Sequence, residues 1–234
     1  MSHFFLSFCE KNKGWLGDYA LFMALKGCFD GRQWQAWPEE VRLRRPAALA
    51  EYRERLQQEI SFWQYVQYLF FSQWEKLKTY ANQNGISIIG DIPIYVAMDS
   101  ADVWVEGDLF QLDESRRPTA VAGVPPDMFS ATGQLWGNPL YDWQAMERDG
   151  FAWWKARMSS SAALYDLIRI DHFIGVVNYY AIPAGENTAM NGQWMPGPGE
   201  KLLDAITPVL KGKKIIAEDL GVVTPAVRRL LKKS

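Results

Sequence analysis

Tyr165-Asp166-Leu167-Ile168-Arg169-Ile170-Asp171-His172-Phe173 is a short apolar run with β-branched residues, bounded by the small residues of 159–163 and by Gly175. That pattern predicts a strand. Side chains alternate along a strand, so Arg169 and Asp171 take one face while Ile168 and Ile170 take the other. A charged pair is costly to bury in an apolar strand unless it is paired and hydrogen-bonded. Such a pair is either a structural ion pair or working chemistry. An arginine two positions from a carboxylate keeps that carboxylate ionised, the state a nucleophile needs.

Two more runs resemble this one. Ile86 to Val96 is a buried-strand run that contains Gly90-Asp91 and Pro93, and Lys213 to Leu220 ends in Glu218-Asp219. Strands that alternate with helices predict an α/β fold with a parallel sheet. In a parallel barrel the carboxyl ends of the strands converge on one face, where chemistry sits. The acids at these ends are Asp91, Asp171, and either Glu218 or Asp219. Strand alternation leaves that last choice open.

The flanking segments read as architecture. Residues 1–82 predict helices, with Asp18 as the N-cap of a helix over Tyr19–Lys26 and Gly27 at its C′ position. Pro38 reads as a first-turn proline ahead of Glu39 and Glu40. From Pro46 to Asn84 no glycine or proline follows the first residue, which predicts one long helix or two, stopped by Asn84-Gly85. The stretch from Asp99 to Trp143 is punctuated by Pro118, Gly123, Gly133, Gly137 and Pro139 and reads as loop. Its length and its aromatics mark it as a functional loop rather than a disordered one. A helix over about Trp143–Met158 precedes the central strand. A second loop runs from Pro183 to Gly199, followed by a helix over Glu200–Leu210. Thr224-Pro225 opens a final helix whose Val227, Leu230 and Leu231 need a surface to pack on, which reads as a sign of truncation.

Bulk properties narrow the class. The 234 residues are 48% hydrophobic and 22% charged, ordinary for a soluble globular protein. A net charge of −2 gives no support for nucleic-acid binding. No segment is apolar for long enough to span a membrane, and no leader pattern opens the chain. Cys9 and Cys28 lack metal-ligand spacing and suggest a reducing, cytoplasmic setting. With only His3 and His172, a histidine metal site or a Ser-His-Asp triad has too few residues. No glycine-rich phosphate fingerprint follows a strand. Three carboxylates permit a Mg²⁺ site, and acids at strand ends also cap following helices. Carboxylates from separate strands among aromatic loops fit glycoside chemistry. There one acid attacks the anomeric carbon and another, with a raised pKa, protonates the leaving oxygen.

An ordered set of motifs then carries a resemblance. It comprises Gly90 to Ala97 (GDIPIYVA), Asp99 to Trp104 (DSADVW), Val121 to Asp127 (VAGVPPD) and Gly133 to Tyr141 (GQLWGNPLY). It continues with Arg169 to Phe173 (RIDHF), Gly197 to Gly199 (GPG) and Ile216 to Gly221 (IAEDLG). In order and spacing the chain resembles the 4-α-glucanotransferases of glycoside hydrolase family 77, amylomaltases and disproportionating enzymes. The resemblance implies part of a (β/α)8 TIM barrel of the α-amylase clan. Residues 1–84 would form a helical subdomain inserted in it and 85–234 the central part of the catalytic barrel. It implies Asp171 as nucleophile, Arg169 as the arginine that keeps it ionised, Glu218 as general acid/base and Asp91 as a supporting carboxylate. Phe129, Trp136 and His172 would contact an α-1,4-glucan or maltooligosaccharide, with no cofactor and no metal required.

The resemblance has gaps. Met128 stands where many members have tyrosine, and Ile174 where many have arginine. An N-terminal segment with a glucan-binding tyrosine and a later His-Asp pair are not matched. The expectation is therefore an internal fragment, inactive alone. Other classes compatible with the motifs are a hydrolase of the α-amylase clan and a non-catalytic glucan-binding module.

Overall fold

The computed structural model describes residues 3–218 and 225–233. The chain divides into two compact units, residues 1–77 with 99–107 and 114–117, and residues 78–98 with 108–113 and 118–234. Asp219, Leu220, Gly221 and Thr224, which the sequence reading used, lie outside the described residues, as does the side chain of Leu231.

The first unit is helical: α1 (His3–Lys11), α2 (Leu16–Cys28), α3 (Glu39–Arg42), α4 (Pro46–Arg55), most of α5 (Gln57–Gln83) and α6 (Ala101–Val105). Its core is aromatic, with the rings of Phe22, Trp37 and Trp104 5.4–5.9 Å apart. Asp99 ties the unit together by pairing with Lys26 at 2.7 Å and accepting the Trp34 N–H at 3.2 Å. Three sequence expectations shift here. Asp18 is not a cap: α2 starts at Leu16, and the Asp18 carboxylate pairs with Arg44 and Arg53 at 3.0 and 3.1 Å. Two guanidiniums outcompete a local backbone N–H for that carboxylate. Gly27 lies inside α2, and Pro38 sits at the N-cap of α3. The long apolar segment is two helices, broken at Leu56, whose side chain is buried.

Among the described residues the second unit holds seven strands: β1 (Ile89–Pro93), β2 (Ala120–Val124), β3 (Gln134–Pro139), β4 (Leu167–Asp171), β5 (Asn178–Pro183), β6 (Gln193–Pro196) and β7 (Ile215–Ala217). The three strands expected from the sequence form one parallel sheet in the order β1-β4-β7. The other four form an antiparallel sheet, β3-β2-β5-β6. Both stretches read as loop therefore contain strands. Their glycines and prolines hide the short strands of two hairpins, which a distant pairing joins where Gly123 lies opposite Tyr180.

Helices follow the expected order with finer divisions. The helix after Trp143 is two, α7 (Trp143–Arg148) and α8 (Ala152–Leu164), separated at Gly150-Phe151, both in the left-handed region. The chain continues through α9 (Ile174–Val177), α10 (Glu200–Ile206) and α11 (Pro225–Lys233). In α11, Val227 and Leu230 are buried, and the helix packs on α9.

Strand β4 behaves as its alternation requires. Ile168 and Ile170 are buried, while Arg169 and Asp171 take the opposite face. Its amino end is stapled by Asp166, which accepts the Ile88 N–H and the Asn82 amide, both at 2.8 Å. Lys78 and Lys213 both donate to the carbonyl of Tyr165. These contacts fix the register, in which Asp91 lies opposite Arg169 and Arg169 opposite Ile216.

Candidate active site

The register brings the predicted carboxylates together around one guanidinium. Arg169 Nη1 lies 2.6 Å from both oxygens of Asp91, and Nη2 lies 3.1 Å from Asp171 Oδ1 and 2.8 Å from Glu218 Oε1. Two oxygens bound to one nitrogen hold their carboxylates closer than the gap of about 6.5–9.5 Å that an inverting glycosidase leaves for water. The Asp171 and Glu218 carboxyls, on the same guanidinium nitrogen, each shift the other's proton affinity. Among the described residues, no group of three or more His, Cys, Asp or Glu is arranged to hold a metal ion. Arg169 supplies the positive charge at the centre.

Backbone geometry brings Glu218 in. Its N–H donates to Ile170 O at 3.0 Å and its carbonyl accepts the Phe173 N–H at 3.1 Å, which continues the β4–β7 pairing past the last strand residue. Its Oε2 accepts the His172 N–H at 2.7 Å. Both carboxylate oxygens are thus held by donors.

These contacts set the protonation states. The His172 N–H, then Asp171 and Arg169, hold the Glu218 carboxyl below the usual glutamate value. Burial, then the adjoining Glu218, pushes the Asp171 carboxyl above the usual aspartate value. Both directions run opposite to a Glu218 whose pKa is raised above that of its partner. The reason is the donor set: Glu218 accepts the His172 N–H as well as the shorter contact on Arg169 Nη2, whereas Asp171 is partly buried beside Glu218 and keeps the longer contact. Burial lowers the His172 pKa, which leaves its imidazole neutral at neutral pH.

An aromatic wall adjoins the cluster. Trp136 meets the His172 ring edge-on at 4.8 Å, and Tyr95 lies 6.3 Å from Trp136 and 6.5 Å from His172. Phe129 is not brought to it. It stands 90% exposed on a closed loop in which Asp127 Oδ1 accepts the N–H groups of Phe129 and Ser130, both at 2.8 Å.

Sequence reasoning missed Tyr95, Tyr141 and Arg157. Arg157 of α8 donates to the carbonyls of Pro93 and Ile94 at 2.7 and 3.2 Å, and Tyr141 Oη donates to Ile94 O at 2.7 Å. Together they fix the chain beyond β1 that presents Tyr95. A signal for Tyr95 lay inside the GDIPIYVA motif. Arg157 follows Trp153 and Trp154 at helical spacing, and its guanidinium carbon lies 5.3 and 5.1 Å from their rings.

Parallel strands that deliver carboxylates from their carboxyl ends onto one arginine define an α/β protein with an acid-rich, aromatic-walled site. Comparison with known proteins makes that specific. A family model described as 4-alpha-glucanotransferase, glycoside hydrolase family 77, matches residues 2–234, and the chain belongs to this family.

The 4-alpha-glucanotransferase of Clostridium butyricum is 48% identical over 98% of this chain and 47% of that protein. That of Thermus thermophilus is 51% identical over 97% of this chain and 45% of that protein. The chain thus spans about half the length of the curated relatives it matches. The solved amylomaltase from Streptococcus agalactiae in complex with acarbose superposes with a TM-score of 0.94 at 43% identity, covering 98% of this chain and 46% of that one. Amylomaltase from Corynebacterium glutamicum, with a TM-score of 0.78 at 21% identity, shares the fold.

Among the described residues, no helix is long and apolar enough to cross a membrane.

Proposed function

We propose that this chain carries the nucleophile and the acid/base of a 4-α-glucanotransferase that moves α-1,4-glucan segments between maltooligosaccharides by a retaining double displacement. The observation that supports it is the pair Asp171 and Glu218 held on one nitrogen of Arg169 at adjacent strand ends. In the first step Asp171 attacks the anomeric carbon, the glycosidic bond breaks, and Glu218 gives its proton to the leaving oxygen. In the second step Glu218 takes the proton of an acceptor 4-hydroxyl, whose oxygen displaces Asp171 with overall retention.

The first step needs Asp171 ionised and Glu218 protonated. With both carboxyls on one nitrogen of Arg169, a proton passes between them over a short distance, which leaves Asp171 ionised and Glu218 protonated. Asp91 neutralises the rest of Arg169. Trp136 and His172 line the sugar site, and exposed Phe129 closes on the bound glucan. Transfer rather than hydrolysis follows where aromatic surfaces hold an acceptor and exclude water.

In this reading residues 1–84 are the helical insertion and 85–234 part of the catalytic barrel. The setting is cytoplasmic, in keeping with two unpaired thiols, and no cofactor takes part.

Maltotriose tests the reading, incubated with the chain by itself and joined to flanking lengths like those of its relatives. Glucose plus a ladder of longer maltooligosaccharides, at constant reducing ends, is the expected outcome for the longer protein. Asp171→Asn should lower turnover by about 10⁴-fold. Rising reducing ends without a ladder would make the protein a hydrolase instead.

A further inference from the structure

We propose that His172 is a positioning residue whose left-handed backbone, rather than its imidazole, holds the Glu218 carboxylate beside Asp171. His172 has a φ of +54°, in a region that side-chain-bearing residues rarely enter. In that conformation the chain turns back directly after Asp171. The His172 N–H reaches Glu218 Oε2 at 2.7 Å and the next N–H, of Phe173, reaches the Glu218 carbonyl at 3.1 Å. With Arg169 on Oε1 at 2.8 Å, the carboxylate is gripped from two sides. The residue that follows the nucleophile thereby sets the acid/base.

The imidazole takes no part in this grip. It makes no hydrogen bond to Glu218, and its buried Nε2 has no hydrogen-bond partner among the described residues. The ring is packed between Trp136, Tyr95 and Gly175, whose missing Cβ leaves room for it: one built there would lie 3.2 Å from His172 Cδ2. The charged groups that face Glu218 are Arg169 and Asp171, with Asp91 behind Arg169. The imidazole is the smallest of the influences on Glu218, whereas the backbone N–H directed at the carboxylate is the largest.

Substitutions separate backbone from side chain in an unusual order. Glycine enters the left-handed region at no cost and asparagine readily, alanine with a penalty, and valine worst of all. The probe is the ¹³Cδ titration of Glu218 in glutamate-labelled protein, with the resonance identified by its loss in Glu218→Gln. His172→Gly and His172→Asn should keep the lowered titration midpoint of the unaltered chain, although both delete the imidazole. His172→Ala should raise it partway. His172→Val, which keeps bulk but resists the conformation, should raise it by about one unit. If His172→Val fails to fold, the order glycine, asparagine, alanine still decides. A glycine variant that shifts as far as alanine or valine would overturn the proposal, and so would a valine variant that does not shift.

The importance of this grip for catalysis rests on Glu218 being the acid/base. The titration does not, because it is read without substrate: a failed maltotriose assay leaves it intact, and a failed titration leaves the transferase reading intact.

Discussion

At the scale of single residues, one guanidinium faces three carboxylates, so the cluster around Arg169 carries excess negative charge. Asp171 bears the strain, its carboxyl raised by burial and by Glu218. An acid whose folded pKa lies above its unfolded value, about 3.9 for aspartate, stabilises the fold fully only below that unfolded value. The contribution is lost as pH rises through the raised folded value. At neutral pH Asp171 is therefore a cost to the fold, and Asp171→Asn should raise Tm, by the order of 2 °C, while it removes turnover. Calorimetry at pH 7 reads this, and an unchanged or lower Tm would contradict it.

Asp166 has the opposite sign. The Ile88 N–H, then the Asn82 amide, hold its carboxyl below the usual value. Its stabilisation is present above the unfolded pKa and is lost as pH falls through the lowered folded value. Asp166→Asn should therefore lower Tm at pH 7, and its curve should converge with that of the unaltered chain as pH falls toward about 2. A constant gap across that range would show that the charge is not what Asp166 contributes.

The alternation of β4 was legible in the sequence because a period of two assigns every side chain to a face. The order of proton affinities was not. It depends on where the His172 N–H points, and a left-handed histidine leaves no mark in composition or spacing.

At the scale of elements, the parallel strands were readable because each is an apolar run ended by an acid. The antiparallel strands were not: β2 and β3 contain Gly123 and Gly137, and β6 ends in Pro196, so punctuation concealed two hairpins and the distant pairing that joins them. The close approach of β1 to the segment before β4 was equally invisible. A Cβ on Gly90 would lie 2.0 Å from Tyr165 Cδ2, so the tyrosine ring occupies the space where a side chain would stand. Gly90→Ala should destabilise the second unit by about 1–3 kcal/mol. Adding Tyr165→Ala should recover part of that loss by removing the obstructing ring, despite the cavity it leaves. Urea midpoints of the single and double variants decide, and an additive loss would place the cost elsewhere.

At the scale of the whole molecule, family membership was legible because seven motifs recur in a fixed order, which chance does not supply. The division into two units was only partly so. Residues 99–107 and 114–117 belong with the helical unit although they follow β1 in sequence, and helix patterning says nothing about which body a later segment joins.

The site itself has a consequence for how the chain acquires its structure. Arg169 reaches Asp91 across 78 residues, and His172 reaches Glu218 across 46. Contacts between such distant residues are slow to form, because the entropy of closing long loops is spent before any pairing repays it. The helical segments need no such closure. Pulse-labelled hydrogen exchange during refolding should show amides of α5 protected well before those of Ile168 to Ile170, and simultaneous protection would contradict this ordering. During synthesis, the carboxylate cluster stays incomplete until Glu218 has left the ribosome, so Asp91, Arg169 and Asp171 emerge ahead of their last partner.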